Sequence, residues 1–233
     1  MKESDAGRIS EANALTWGLL GASVCAFMTR VEPNLLEEGL ILHVAQRMVN
    51  GEALYRDVAS FTGPLPFELL ATLFRLFGEE IAVARSAVIV LHGLACASIF
   101  AVSVRAGAGS LSHAAAACVA STPVLLFPLF SLFFHTTLAF DLSLIAAYPA
   151  VRGTRSVRWA GIAGVVVACT ALCKQTIGAA LAVALLAAMA ATAPPGRRVR
   201  SAAALALEVP VLPVSLWPRT PCAVIWKSSS IRF

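Results

Sequence analysis

Hydrophobic and polar positions along this chain come in long blocks, not in the alternation of period two that marks a half-buried strand. Residues 1–13 are polar and carry Lys2 and Arg8, and Ala14–Met28 is then apolar without a charge, with Arg30 just beyond. Ile81–Val104 is a second apolar run; its 24 residues, at about 1.5 Å each, suffice to cross a hydrocarbon layer of roughly 30 Å. Ser112–Phe134 is a third, broken late by Pro123 and Pro128, and Thr136–Val151 a fourth with Asp141 inside it. The junction at His135 reads as a short external turn. In Trp159–Ala193 the only charge among 35 residues is Lys174. As one helix this run would measure about 52 Å, more than one crossing uses, so the pattern predicts a helical hairpin with Lys174-Gln175 at its tip and Gly178 just beyond. Ala202–Leu216 is a weaker last run, compromised by Glu208, Pro210 and Pro213; Pro218 and Pro221 follow, and a helix cannot continue through that spacing.

Between the first two runs lies a polar island, Glu37–Gly78, where acidic, basic and aromatic residues gather. Leu40, Ile41, Val44, Ala45 and Met48 share one helical face, with Glu37, Glu38, Gln46 and Arg47 largely off it and Asn50-Gly51 as a stop. Pro64 can open a second helix whose apolar side is Leu65, Leu69, Leu73, Leu76 and Phe77, with Gly78 as its end. Two amphipathic helices lying on a bilayer surface fit this pattern. Packing against a soluble core is the alternative.

Composition turns these runs into a class. Hydrophobic residues make up 58% and charged residues only 13%, against about 25% charged in a soluble domain, and the mean hydropathy is +0.80. The expectation is an all-α polytopic membrane protein. The net charge of +5 comes from 18 basic and 13 acidic residues, with the basic ones in short loops and not along one face, a pattern of membrane orientation and not of nucleic-acid binding. The charged start and modest apolar run resemble a signal peptide, but no small-x-small cleavage site follows, and Val24 before Cys25 spoils a lipoprotein-type site. An uncleaved first span fits better. The chain then divides into a cytoplasmic tail 1–13, a first transmembrane helix 14–31, an external loop 32–80, the remaining transmembrane helices 81–217, and an irregular tail 218–233 in which the protein is expected to be truncated or frame-shifted.

Charge also orients the spans. If Pro64–Gly78, with 15 residues including Glu68 and Arg75, lies in the interface, then nine basic residues (Lys2, Arg8, Arg105, Arg152, Arg155, Arg158, Arg197, Arg198 and Arg200) face the cytoplasm and Lys174 faces out. If it crosses, the last seven of these move outside. The first threading is favoured, and it puts the island, His135 and the Lys174 tip on one non-cytoplasmic side.

The candidate chemistry gathers there. Six cysteines form no CxxC pair and five fall in apolar runs, which reads as small buried hydrophobes; four histidines show no zinc spacing. Adjacent carboxylates at a membrane surface are costly unless they bind a cation, pair with arginine or transfer protons, and Glu37 and Glu38 would point about 100° apart on a helix. Arg56 and Asp57 follow Tyr55 and read equally as a solvated turn with a local ion pair. Arg85, near one end of its span, can snorkel. Arg47, Arg56, Arg85 and Lys174 could neutralise a phosphate.

The run E-E-G, A-Q-R-M-V-N-G-E, Y-R-D, G-P-L, L-F-R-L-F-G and A-V-A-R, from Glu37 to about Arg85, resembles the first external loop of polytopic glycosyltransferases that use polyprenyl-phosphate sugars. These are the protein O-mannosyltransferase and lipid A aminoarabinose transferase relatives of glycosyltransferase family 39, with the membrane-embedded GT-C fold. C-K-Q-T-I-G at Cys173–Gly178 is a second match. The resemblance implies a GT-C-like helix bundle with amphipathic juxtamembrane helices, in a bacterial inner membrane with a cytoplasmic N-terminus and a periplasmic loop. It further implies inverting transfer of a sugar from a polyprenyl-phosphate donor to an acceptor hydroxyl. Glu37 matches the position of the general base, where the family usually has aspartate, and Glu38 is its catalytic neighbour or the ligand of a divalent cation. Arg56, Asp57, Arg85, Lys174 and Gln175 would bind substrate or phosphate; His135 and Asp141 are further candidates. The lysine that some relatives carry before a Pro-Pro pair is absent, since Thr62-Gly63-Pro64-Leu65-Pro66 stands there, and relatives are roughly twice as long. The competing class is a small transporter, whose polar groups would cluster near mid-membrane at broken helices.

Overall fold

The computed structural model describes residues 3–30, 38–60, 62–127, 132–192, 194, 196, 199–200 and 202–205, with side chains from Ser10 onward. Among them the architecture is helical, and a single bridge between Leu54 and Val58 is the nearest approach to a strand. In chain order the helices are α1 (Glu3–Met28), α2 (Glu38–Val49), α3 (Leu65–Phe77), α4 (Ile81–Arg105), α5 (Leu111–Ala120), α6 (Thr122–Leu125), α7 (His135–Gly153), α8 (Val157–Cys173) and α9 (Gln175–Thr192). Two of them, α4 and α9, are long and apolar enough to cross a membrane; α5 and α8 are apolar but shorter. The last expected span loses its description after Leu205, and the tail 218–233 lies outside the described residues.

Several boundaries differ from expectation for local reasons. The first helix starts at Glu3, so most of the polar segment 1–13 is helical and continuous with the apolar run. Ser112–Phe134 is not one helix. It divides into α5 and the single turn α6 around Ser121, with Pro123 at the opening of α6, because proline lacks the N–H that would continue the ladder. The 35-residue run is the expected hairpin, turning at Lys174 alone. The Lys174 N–H donates to Thr170 O at 2.8 Å, and its carbonyl accepts from Gly178 N at 3.0 Å, so one residue closes α8 and opens α9.

Helices α1 and α4 pack through small residues. A Cβ on Gly93 would stand 2.8 Å from the Gly18 carbonyl oxygen and 3.1 Å from Ala22 Cβ, and a Cβ on Gly21 would collide with Cys96 Sγ. Such close approach is how helices associate where apolar burial gives little driving force. Outward positions stay apolar: Leu15, Leu19 and Phe27 on α1, Val90 and Leu94 on α4, and Val183 on α9 are exposed.

The island packs onto one end of this bundle. Ile41, Val44, Ala45 and Met48 of α2 are buried as expected, while Leu40 points outward at 60% exposure. On α3 the buried stripe is Phe67, Leu70, Ala71 and Phe74, not the leucine stripe; Leu76 and Phe77 are about 70% exposed. Both stripes are apolar, and the aromatic one fills the space against Cys25, Ala84, Val88, Leu138 and Cys173 at the ends of α1, α4, α7 and α8. The loop helices therefore rest on protein; of the expected leucine side, Leu65 and Leu69 pack partly against the same core, and Leu76 and Phe77 face outward. Gly51 and Gly78, both at φ +97°, end α2 and α3 as predicted, and Gly78 N–H donates to Phe74 O at 2.9 Å.

Overpacking a close helix contact costs about 1–3 kcal/mol. Gly93→Leu is expected to lower the thermal midpoint of the detergent-solubilised protein, whereas Gly161→Leu, where a Cβ would meet nothing within 4 Å, leaves it near the parent value. Equal midpoints for the two variants would contradict the tight α1–α4 contact.

Candidate functional site

Glu37 lies outside the described residues. Its neighbour Glu38 opens α2 and is fully buried. Arg85, in the first turns of α4, holds both of its oxygens, with Nε to Oε1 at 3.2 Å and Nη2 to Oε2 at 2.8 Å. Arg85 Nη1 also donates to the carbonyl of Thr29 just after α1, and the Phe133 N–H reaches Glu38 Oε1 at 3.5 Å ahead of α7. One buried bidentate ion pair thus fastens the start of the loop to three other segments. The arginine read as a snorkelling or phosphate-binding residue is engaged by the carboxylate 47 positions before it.

Arg56 and Asp57 sit in a tight turn. Arg56 Nη2 donates to Asp57 Oδ2 at 2.8 Å and Nε to both oxygens at 3.1 Å, while Ala53 N–H donates to Oδ2 at 2.8 Å. These hydrogen bonds, Arg56 first, lower the Asp57 carboxyl to about 2. Tyr55 adopts φ +67°, and its N–H donates to Val58 O at 2.9 Å. Its phenol swings inward and donates to Thr62 O at 2.7 Å. Burial, and then the Glu68 carboxylate, raise the phenol above its ordinary value, which keeps it a donor at neutral pH.

Tyr55 leads to a cavity of about 350 Å³ between the loop and the bundle. The loop contributes Tyr55, Ser60, Thr62 and Pro64; the start of α7 contributes His135; and the α8–α9 junction contributes Lys174, Gln175 and Thr176. Lys174 Nζ donates to Thr136 Oγ1 at 3.1 Å, which holds the ammonium at the top of α7. The first N–H groups of a helix lack intrahelical acceptors and carry the positive end of its dipole, and α9 opens on this cavity. The loop backbone seats against the end of α8 at Gly63, where a Cβ would collide with the Leu172 carbonyl. Cation, hydroxyls, helix start and imidazole together suit an anion with attached hydroxyl groups.

Of the sequence candidates, then, Lys174, Gln175 and His135 meet at one cavity. Glu38 and Arg85 form a separate buried clamp, and Arg56 with Asp57 forms an exposed turn. Asp141 belongs elsewhere: it is buried inside the bundle with its Oδ1 3.1 Å from His92 Nδ1 of α4. His92 and the Tyr55, Ser60, Thr62 and Thr176 lining went unread in the sequence. Only Tyr55 carried a signal, as the head of the Y-R-D motif. No group of three His, Cys, Asp or Glu side chains able to hold a metal ion occurs among the described residues.

Removing one partner of a buried ion pair typically costs about 3–5 kcal/mol, because the other charge is left uncompensated. Arg85→Met is therefore expected to destabilise strongly in a detergent unfolding assay, and Glu38→Gln combined with Arg85→Met to recover part of the loss. A double variant no better than the single would exclude a pair interaction. The Asp57 value lies below the ordinary 3.8, so its contribution to stability is complete above that pH and is lost as pH falls towards 2. Asp57→Asn should accordingly be less stable than the parent at neutral pH and converge with it near pH 2; a pH-independent gap in denaturation midpoints would refute the assignment.

Comparison with family models, with curated proteins and with solved structures returns no match.

Proposed function

We propose that the chain is a multi-pass membrane protein carrying the donor site of a polyprenyl-phosphate-dependent glycosyltransferase, with the cavity beneath the loop receiving the sugar phosphate. The observation that carries this reading is the Lys174 ammonium, tied to Thr136 and placed beside the opening of α9 in a cavity lined by Tyr55, Ser60 and Thr62. A sugar phosphate needs a cation and oriented N–H groups at the phosphate, and hydroxyls at the sugar. Membrane residence is supported by two helices able to span, by the apolar outer faces, and by the composition.

In the proposed reaction the acceptor oxygen attacks the anomeric carbon from the face opposite the phosphate. The carbon–oxygen bond to phosphate breaks, a carboxylate takes the hydroxyl proton, and polyprenyl phosphate leaves with the electron pair. Both Glu38 oxygens are committed to Arg85, so we assign proton acceptance to Glu37, on the loop's resemblance to the family 39 glycosyltransferases. Lys174 and the start of α9 stabilise the charge that grows on the leaving phosphate, a contribution that is often the largest in catalysis. A transporter is the second reading, favoured by the buried His92–Asp141 pair inside the bundle.

The purified protein in detergent, given polyprenyl-phosphate sugars, is expected to release or transfer sugar. Lys174→Ala should reduce the rate by about 10²–10³-fold, as loss of one charge-stabilising donor does, and Glu37→Gln should abolish proton acceptance while leaving donor binding intact. Activity equal to the parent in both variants, or the same uptake of substrate into vesicles without any sugar released, would sink the enzyme reading in favour of the second.

A further inference from the structure

At the end of the bundle away from the loop, the N-terminal half of α1 lies beside the C-terminal half of α4. Between them is a cavity of about 880 Å³, larger than the one under the loop. Its wall is Leu15, Leu94, Ala97 and Ala101, and it closes on Arg105 and Tyr148. Leu15 and Leu94 are 69% and 51% exposed, so the groove is largely apolar, with Ser10, Glu11 and Ser98 also on its wall, and is left open by the described residues. From Leu94 to Arg105 the helix rises about 16 Å, close to half of a hydrocarbon layer of roughly 30 Å, or the depth of one leaflet.

The polar end of the groove is lined by Arg105 and Tyr148, and a second cation, Arg152, shares the Tyr148 ring without itself lining the groove. Arg105 Cζ stands 5.0 Å from the Tyr148 centroid and Arg152 Cζ 5.3 Å, and Arg152 also lies 4.7 Å over Trp159. The two positive charges are therefore within about a Debye length, roughly 10 Å, of each other. Neither forms an ion pair with a carboxylate among the described residues, although Glu11 lines the same cavity. Aromatic stacking orients both guanidinium groups and leaves their repulsion unbalanced, which an anion at that spot would relieve.

We propose that this groove binds an anionic phospholipid, its phosphate headgroup at Arg105 and Arg152 and one acyl chain along Leu15, Leu94 and Ala97. Free phosphate would satisfy the charges and leave the apolar groove bare, whereas a lipid covers both. The site rests on the membrane reading but not on sugar transfer.

The test uses the full chain with Trp17, Trp217 and Trp226 changed to Phe, so that Trp159 reports from beside Arg152. The protein is reconstituted in phosphatidylcholine vesicles and floated, then titrated with acyl-brominated phosphatidylglycerol or acyl-brominated phosphatidylcholine. Quenching of Trp159 should favour phosphatidylglycerol, with about a fivefold preference for each arginine. The preference should disappear in Arg105→Gln/Arg152→Gln and survive in Arg75→Gln at the opposite end. Equal quenching by the two lipids in the parent, an unchanged preference in the double variant, or displacement by millimolar inorganic phosphate would overturn the lipid site. A chain that does not float fails the membrane reading and the site together; one that floats without preference fails the site alone.

Discussion

The ion pair between Glu38 and Arg85 is the constraint on which the rest of the candidate site depends. A carboxylate with no exposure to solvent is tolerable only if its charge is matched and its oxygens are satisfied. Arg85 does both, and because the same guanidinium reaches the Thr29 carbonyl, the end of α1, the start of α2 and the start of α4 are set by one group. The loop leaves this clamp already oriented. Its second helix then lays Phe67, Leu70 and Phe74 against the bundle, and its turn brings Tyr55 and Thr62 over the Lys174 junction.

The two ends of the bundle are built differently. At the loop end, polar groups are layered into a lined cavity: an ammonium fixed to a hydroxyl, a phenol fixed to a carbonyl, and a helix start. At the other end, guanidinium groups are held by aromatic faces, which orient a cation without neutralising it. Between them, α4 and α7 carry the buried His92–Asp141 contact. A basic end whose Arg105 and Arg152 have no carboxylate partner among the described residues, and a polar end with a lined cavity, make the bundle asymmetric along its axis.

Features set by local chemistry were legible in the sequence. Asn50-Gly51 and Gly78 ended their helices because a positive φ favours a residue without Cβ, and the excessive length of the run around Lys174 demanded a turn. What pairs across long separations was not legible. Arg85 and Glu38 are 47 residues apart, and His92 and Asp141 49, so neither pairing leaves a local pattern. On α3 periodicity was half right for a different reason: Leu65 and Leu69 do pack against the core, but the neighbouring stripe of Phe67, Leu70 and Phe74 is apolar too, and only the shape of the bundle end decides which is buried fully. The division of Ser112–Phe134 was half legible, since Pro123 announced a break that its neighbours' hydrophobicity concealed.

The turn at Lys174 has a consequence for what changes of length the chain can absorb. A single residue serves as the end of α8 and the beginning of α9, without a linker in which slack could collect. One residue more or less would carry α9 about 100° around its axis and 1.5 Å along it. Gly178, now pressed against Ala171, would leave the contact, and the ammonium would turn away from Thr136. The spacing of the two helices is thus as much a determinant of where the positive charge sits as the lysine itself, and the hairpin behaves as a fixed-length ruler for the cavity.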